Sequence, residues 1–148
     1  MKSWQPQSEA LQYMQKVWAL AHALDVRSKR MARTIGVTGP QRLVLRLIGE
    51  MPDATAGMLA RSLDLHASTL TGVLSRLETR RLITRRVDPE DRRRVRFSLT
   101  AAGKRIDRER SGTVEAAVRR ALARVSDQKA AASEELMAIL VEELLRDR

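Results

Sequence analysis

Apolar residues recur every three or four positions along most of the chain, which is the spacing of one buried helical face. The first such stretch predicts a long helix from residue 9 to residue 35 that ends near Gly36. A second predicted helix begins after Thr38, which is suited to cap it, and has Pro40 in its first turn. Its buried stripe is expected to consist of Leu43, Val44, Leu47 and Ile48.

Two short helices are expected next, with almost no connection between them. Either Asp53 or Thr55 is suited to cap the first of them. Its inward side chains are Leu59 and Leu63. A turn at residues 64 and 65 leads to the second helix, which begins near Ala67 or Ser68 and has its own apolar face. That face consists of Leu70, Val73, Leu74 and Leu77. Two helices joined by so short a turn predict a helix-turn-helix.

The pattern then changes from helical to strand-like. Residues 82–87 and 95–99 have the short, β-branched character of strands, and the polar residues 88–91 form a turn between them. A hairpin directly after a helix-turn-helix predicts a winged helix, with the hairpin as its wing. The stretch from Leu70 to Thr100 contains nine arginines and four acidic residues, so it carries a net charge of +5 out of the chain's +10.

The remainder of the chain predicts two further helices. Thr100 is suited to cap the first, and Ser126 begins the second. The apolar side of the first is expected to carry Ile106, Val114, Ala117, Val118, Ala121 and Val125. The second carries Leu136, Ile139, Leu140, Leu144 and Leu145. A winged helix is too small to cover the apolar faces of the terminal helices, so the sequence predicts that a second copy buries them.

Composition supports a helical fold around one core. The chain has 148 residues, 43% of them hydrophobic and only 3% aromatic, so aliphatic side chains must fill the core. We expect a mainly α fold, a winged helix-turn-helix with a two-stranded β-hairpin wing and N- and C-terminal dimerisation helices. The whole chain, 1–148, is expected to be one domain. Its DNA-binding lobe covers about 37–100, and its dimerisation helices about 4–35 and 101–147.

Charge points to a polyanionic partner. With 28 basic against 18 acidic side chains, the chain attracts phosphates, although a merely basic solvated surface is the alternative explanation. A run of 18 apolar residues is absent from the sequence, and we expect a cytoplasmic protein that does not bind membranes.

Several function classes are disfavoured by the residues available. The chain has no cysteine and two histidines, so thiol chemistry is excluded and neither a metal site nor a cofactor is expected. We find no glycine-rich phosphate loop and no pairing of a nucleophile with a base. The sequence therefore does not predict an enzyme.

Specific motifs resemble those of the MarR-type bacterial transcriptional regulators. They are Leu59-Ala60, STLTGVLSRLE at 68–78 and LITRRVDPEDRRRVRFSLTAAGK at 82–104. The resemblance implies an obligate winged-helix dimer, commonly a repressor released by a small molecule or an oxidant. The chain departs from the family pattern at Arg81, where the family usually has glycine for a left-handed helix cap. Arginine in that conformation costs on the order of 1 kcal/mol, unless the cap is reshaped.

The polar face of the second short helix is expected to enter the major groove of DNA. It carries Ser68, Thr69, Thr71, Gly72, Ser75 and Arg76. Ser68 is equally suited to cap the helix. Gly72 either allows the helix backbone to approach the groove closely or is simply a glycine that the helix tolerates. The planar fork of Arg76 matches the two acceptors of guanine, with a phosphate contact or a solvated side chain as alternatives.

The wing tip matches the family's Asp-x-Arg pattern at Asp91 and Arg93. The resemblance implies that Arg93 reaches into the minor groove while Asp91 braces it. A guanidinium suits a narrow groove of enhanced negative potential. Arg92 and Arg94 are expected to contact phosphates or to remain solvated.

Trp18 and His22 lie one helical turn apart in the first helix. They are candidates for an effector pocket, although packing in the dimer core is the favoured explanation. The leading hypothesis is a homodimeric, sequence-specific DNA-binding regulator, a repressor relieved by a small-molecule effector that reads a pseudo-palindromic duplex. The alternative is an effector-independent architectural protein that binds DNA with little sequence preference.

Overall fold

A computed structural model describes residues 8–63 and 65–146 of the chain. Its elements follow in the order α1 (Glu9–Thr34), α2 (Gly39–Glu50), β1 (Ala54–Thr55), α3 (Ala56–Leu63), α4 (Ala67–Thr79), β2 (Ile83–Val87), β3 (Val95–Leu99), α5 (Ala101–Arg108), α6 (Val114–Leu122) and α7 (Asp127–Leu145). The expected winged helix-turn-helix is confirmed, with α3 and α4 as the helix-turn-helix and β2 and β3 as the wing. Asp64, assigned to the turn between the two helices, lies outside the described residues.

The core of the winged helix lies between α2, α3, α4 and the sheet. Its buried side chains are Val37, Val44, Leu45, Ile48, Ala54, Leu59, Leu70, Val73, Leu74, Leu77, Leu82, Ile83 and Phe97. The four apolar residues assigned to the buried face of α4 are all in this cluster, as the periodicity predicted. Phe97 is the single phenylalanine of the chain, and it is 3% exposed.

The sheet has a third strand that the sequence pattern did not indicate. Its order is β1-β3-β2, with both pairs antiparallel. Ala54 pairs with Phe97, and the wing runs in register from Ile83 opposite Leu99 to Val87 opposite Val95. Because β1 has only two residues, it is too short to show an alternating pattern.

Three of the expected helix caps are present, and Ser126, which was expected to begin the last helix, caps α7. Thr38 forms a capping box with Gln41, and Thr100 accepts a hydrogen bond from the amide of Gly103 at 3.0 Å. Ser126 accepts from the amide of Lys129. At α3, the amide of Met58 donates to Thr55 Oγ1 at 3.3 Å, so Thr55 rather than Asp53 is the cap. These local bonds satisfy amides that have no partner within their helices.

The buried stripe assigned to α2 was wrong at one position. Leu43 is 47% exposed, whereas its neighbours Arg42 and Leu45 are buried. Arg42 occupies the inner face because its guanidinium donates to the main-chain carbonyls at the end of α5. An apolar count cannot anticipate an inward-facing arginine, since burial of that side chain depends on partners distant in sequence.

Helix α4 begins at Ala67, and its N-cap residue is His66, which makes no side-chain capping bond. The interpretation of Ser68 as an N-cap is therefore wrong. Ser68 lies in the first turn with its side chain exposed. Its hydroxyl is thus available on the surface of the helix.

The C-terminal end of α4 keeps the left-handed cap in spite of Arg81. Arg81 has a φ of +56°. Its amide donates to the carbonyl of Glu78 at 2.8 Å, and the amide of Leu82 donates to the carbonyl of Leu77 at 3.0 Å. This pair of bonds is the Schellman motif, in which glycine normally occupies the left-handed position. The chain therefore retains the turn from α4 into the wing and accepts the steric cost of a β-carbon.

The single helix predicted after Thr100 is in fact two. Helix α5 ends at Arg108, Gly112 has a φ of +69°, and Thr113 caps α6 by accepting from the amide of Ala116. Val118 is 48% exposed. Positive φ and a new capping residue end the helical pattern although the apolar spacing continues across them.

The chain forms two compact units, and the boundary between them in the sequence falls between Glu109 and Arg110. Within the first unit, α1 buries only Met31 along its 26 residues. In the second unit, neither α6 nor α7 has a buried residue. Large apolar side chains exposed on these helices include Leu11, Met14, Trp18, Leu24, Leu122, Leu136, Met137, Ile139, Val141 and Leu144.

Replacement of Arg81 by glycine should raise the free energy of unfolding by about 1 kcal/mol, because glycine takes up a positive φ without the steric cost of a β-carbon. Chemical denaturation of the purified protein measures this change. Arg80→Gly is the matched control, because Arg80 has a φ of −81° and glycine relieves nothing there. If the two substitutions shift the unfolding free energy equally, the left-handed cap is not strained.

Candidate nucleic-acid interface

The surface of α4 opposite the core is polar and open. All six residues assigned to this surface are exposed: Ser68, Thr69, Thr71, Gly72, Ser75 and Arg76. They lie together on one side because the four apolar residues of α4 are buried on the other. The hydroxyl of Thr71 donates to the carbonyl of Ala67 at 2.8 Å, so it presents lone pairs outward rather than a proton.

Gly72 and Arg76 are the two residues of this surface with the clearest geometry. A β-carbon added at Gly72 would meet nothing within 4 Å, so packing inside the chain does not require glycine there. The Arg76 side chain makes no ion pair with any described residue. Its five N–H donors are therefore available to an external acceptor.

At the wing tip, Asp91 holds two arginines. Its carboxylate accepts from the main-chain amide of Arg93 at 3.0 Å and from Nε of Arg93 at 3.2 Å. Nε of Arg94 lies 3.6 Å from the same carboxylate. The side-chain hydrogen bond from Arg93 is the largest cause that lowers the pKa of Asp91. The Arg93 side chain is nevertheless 91% exposed, so it projects from the tip in a fixed direction.

Arg92 differs from its two neighbours in the wing tip. It is exposed and makes no ion pair with the described residues. The structure thus brings all four predicted wing residues to one tip, two arginines held by Asp91 and one unpaired. A turn that starts with an aspartate is typical of such local bonding.

The turn of the wing is anchored to β3 by Asp88, a residue that the sequence placed in the polar turn without a role. Its side chain is 4% exposed and pairs with Nη2 of Arg96 at 2.8 Å. The carboxylate also accepts from the amide of Glu90 at 3.0 Å. That amide is the largest cause that lowers the pKa of Asp88, followed by the Arg96 hydrogen bond. The ion pair fastens the turn to β3.

A second carboxylate ties the wing to the strand that precedes α3. Asp53 has a φ of +63°, and its Oδ1 accepts from Arg86 Nη2 at 3.2 Å and from Ser98 Oγ at 3.1 Å. The guanidinium of Arg86 is thereby paired with a carboxylate outside the wing. Sequence periodicity gave no sign of this contact, which joins residues 33 and 45 positions apart.

An open groove of about 570 Å³ runs between the start of α3 and β3. Five arginines line it: Arg61, Arg85, Arg93, Arg94 and Arg96. The guanidinium carbon of Arg85 lies 5.9 Å from the centre of the Phe97 ring. Arg61 was missed by the sequence interpretation, and it makes no ion pair with the part of the chain that the structure describes. The groove extends the basic surface of the wing toward α3.

The two effector-pocket candidates lie apart from these features. Trp18 and His22 are both on α1, and Trp18 is 70% exposed. Neither lines the groove beside α3. Among residues 8–63 and 65–146, no cluster of three or more metal-ligating side chains occurs. Within the same ranges, no helix is apolar enough over a sufficient length to span a bilayer.

Asp88→Asn should lower the free energy of unfolding near neutral pH, because an amide cannot supply the charge that pairs with Arg96. A carboxyl whose pKa is depressed below its usual 3.8 stabilises the fold above that value and loses the effect as pH falls through the folded-state pKa. The difference in unfolding free energy between the native protein and Asp88→Asn should therefore disappear in acid. Denaturation at a series of pH values measures it.

Glu90→Gln is the control for this experiment. Glu90 lies in the same turn, is exposed, and its carboxylate makes no contact with the described residues. It should leave the unfolding free energy nearly unchanged at every pH. A difference between native protein and Asp88→Asn that persists in acid would show that the amide disturbs packing rather than charge.

Comparison with known sequences identifies the family of this lobe. The sequence profile of the MarR family matches residues 35–94. The uncharacterized HTH-type transcriptional regulator YsmB of Bacillus subtilis (strain 168) is 32% identical over 90 residues. The matched segment makes up 61% of this chain and 62% of YsmB, so the chain spans less than two thirds of that relative.

Two crystal structures resemble the chain over most of its length. A probable transcriptional regulator from Pseudomonas aeruginosa is 33% identical, with 82% of this chain and 93% of that chain covered and a TM-score of 0.58. The MepR–DNA complex of S. aureus has a TM-score of 0.74 at 19% identity, with 89% of this chain and 97% of that chain covered. The geometry of the lobe and the profile match together show that the winged helix-turn-helix lobe of this chain is of the MarR type.

Proposed function

We propose that the protein is a cytoplasmic, homodimeric, sequence-specific DNA-binding transcriptional regulator, a repressor relieved by a small-molecule effector, and not an enzyme. The observation that carries the proposal is the arrangement of one lobe. The polar surface of α4 is open, and the wing beside it ends in an arginine that Asp91 holds in place. The MarR type of the lobe agrees with this function.

Helix α4 suits the major groove. Its exposed hydroxyl groups lie near the N-terminus, where unpaired main-chain amides favour phosphate oxygens. Arg76 lies farther along the same surface with a free guanidinium, which matches the N7 and O6 acceptors of guanine. The open space over Gly72 allows the helix backbone to approach the base edges closely.

The wing suits the adjacent minor groove. The side chain of Arg93 is 91% exposed, and its hydrogen bonds to Asp91 reduce the rotamer freedom that would otherwise be lost on binding. A narrow minor groove attracts such a side chain through its enhanced negative potential. Arg92, Arg94 and Arg61 surround it with charges placed for backbone phosphates.

The homodimer is supported by the apolar surfaces of α1, α6 and α7. A single chain leaves these surfaces in water, although each large aliphatic side chain gains about 1.5–3 kcal/mol when fully buried. Trp18 belongs to this surface and is 70% exposed. A symmetric dimer would present two copies of α4 to a pseudo-palindromic site, with half-sites roughly 34 Å apart.

Relief by an effector rests on the resemblance to the MarR family rather than on a contact in this chain. A ligand would act by binding more tightly to a dimer whose α4 helices no longer match one turn of duplex. Trp18 and His22 remain the candidate lining of its pocket.

Fluorescence anisotropy with the chain's own promoter DNA and with a scrambled duplex tests the function. A preference on the order of 10³-fold that survives near-physiological salt is expected of a specific regulator. Equal binding that collapses with salt would support the architectural alternative instead. Where the promoter gives no preference, a duplex selected from a random pool serves as the probe before the proposal is judged.

Two substitutions separate base recognition from charge. Arg76→Ala should cost about 1–3 kcal/mol and relax the base preference at one position of each half-site. Arg94→Ala should weaken binding to all duplexes alike and flatten the salt dependence. Affinities for a set of single-base variants of the selected duplex, measured at two salt concentrations, distinguish the two effects. A uniform loss for Arg76→Ala contradicts its assignment to a base.

A further inference from the structure

One arginine of the lobe is turned inward, away from the surface that faces DNA. Arg42 on α2 is 1% exposed. Its guanidinium donates to the main-chain carbonyls of Ile106, Asp107 and Glu109, with an Nη2 distance of 3.2 Å to the Asp107 oxygen. Burial of a charged group is costly unless the group is well hydrogen-bonded, so the Arg42 guanidinium needs several acceptors.

The acceptors belong to the C-terminal end of α5. The last carbonyls of a helix have no partner within it, and a cation there is favoured by the helix dipole. The planar fork of arginine reaches several carbonyls at once, which the point charge of lysine cannot do. Arg46, one turn later on α2, adds an ion pair of 2.8 Å to Asp107 Oδ1. Helix α2 therefore holds the end of α5 from two positions.

The location of this contact gives it a consequence beyond capping. The first compact unit ends at Glu109, the last of the carbonyl acceptors of Arg42. The chain then passes Gly112, at a φ of +69°, before α6 begins. Arg42 thus fixes the last residues of the lobe before the chain continues into the apolar helices assigned to the dimer.

We propose that Arg42 is a positioning residue for DNA recognition. By binding the carbonyls of residues 106–109, it fixes where the chain leaves the lobe, and so restricts the distance between the two lobes of a dimer. Because α4 must meet two half-sites of fixed spacing, this restriction contributes to operator choice. The inference rests on the homodimer under the proposed function, but not on the identity of the operator. If Arg42 only capped α5, its substitution would lower the free energy of unfolding without changing the distance between the lobes.

The absence of cysteine from the 148-residue chain permits a direct test in that chain. Ser62→Cys introduces a single thiol on the exposed surface of α3 and accepts a nitroxide spin label. Pulsed electron double resonance between the two labels of a dimer gives the distribution of lobe-to-lobe distances. With Arg42 present, one narrow peak is expected. Adding Arg42→Gln should abolish that single peak and give a broad distribution, while α-helical circular dichroism is retained.

Lys104→Gln is the matched control. Lys104 lies on α5, is exposed, and makes no ion pair with the described residues, so its loss removes one positive charge without touching the carbonyl contacts. It should preserve the narrow peak. Arg42→Lys is the second variant, used if Arg42→Gln does not fold. It keeps the charge but loses the fork, and it should also broaden the distribution.

The outcomes separate this inference from the proposed function. Absence of any label-to-label distance with native Arg42 shows that the chain does not form the dimer, and the proposed function fails. A broad distribution with native Arg42 overturns the positioning role, because nothing then fixes the lobes. A narrow peak that survives in the folded Arg42 variant overturns it as well, and leaves the homodimer intact.

Discussion

Burial of one face of α4 holds that helix at a single rotation about its own axis, and the candidate interface depends on that rotation. The buried side chains are Leu70, Val73, Leu74 and Leu77. Each contributes about 1.5–3 kcal/mol when removed from water, so turning the helix by even one residue would be costly. The exposed hydroxyl groups, Gly72 and Arg76 are therefore presented outward by packing on the opposite side of the helix. Specific packing on one side determines the polar surface on the other.

The wing, in contrast, brings together several arginines whose positive charges repel one another. Three aspartates divide them into two groups. Asp88 and Asp53 bind Arg96 and Arg86, which makes these two cations part of the hairpin framework. Asp91 instead orients Arg93 while leaving it almost wholly exposed. The carboxylates of Asp88 and Asp53 stabilise the hairpin, whereas that of Asp91 leaves the Arg93 guanidinium open to an external partner at little entropic cost.

Errors in the sequence interpretation share a physical origin. The apolar spacing placed Leu43 in the core of α2, but Arg42 is the inward residue because its acceptors lie on α5. The spacing also continued through Gly112, where a positive φ ends one helix and Thr113 starts another. The strand β1 was missed because two residues carry no period. In each case the local structure depends on a distant partner or on a backbone angle, and the spacing of apolar residues reveals neither.

What the sequence determined by itself is local: the order of the helices, the polar surface of α4, the basic hairpin and the caps at Thr38 and Thr100. These follow from spacing and from side chains that bond to amides three residues away. Tertiary structure alone decided that Asp88 anchors the wing and that Arg42 reaches carbonyls 64 to 67 positions along the chain. Charged side chains are buried only where distant groups satisfy them, so their roles appear only once the chain is folded.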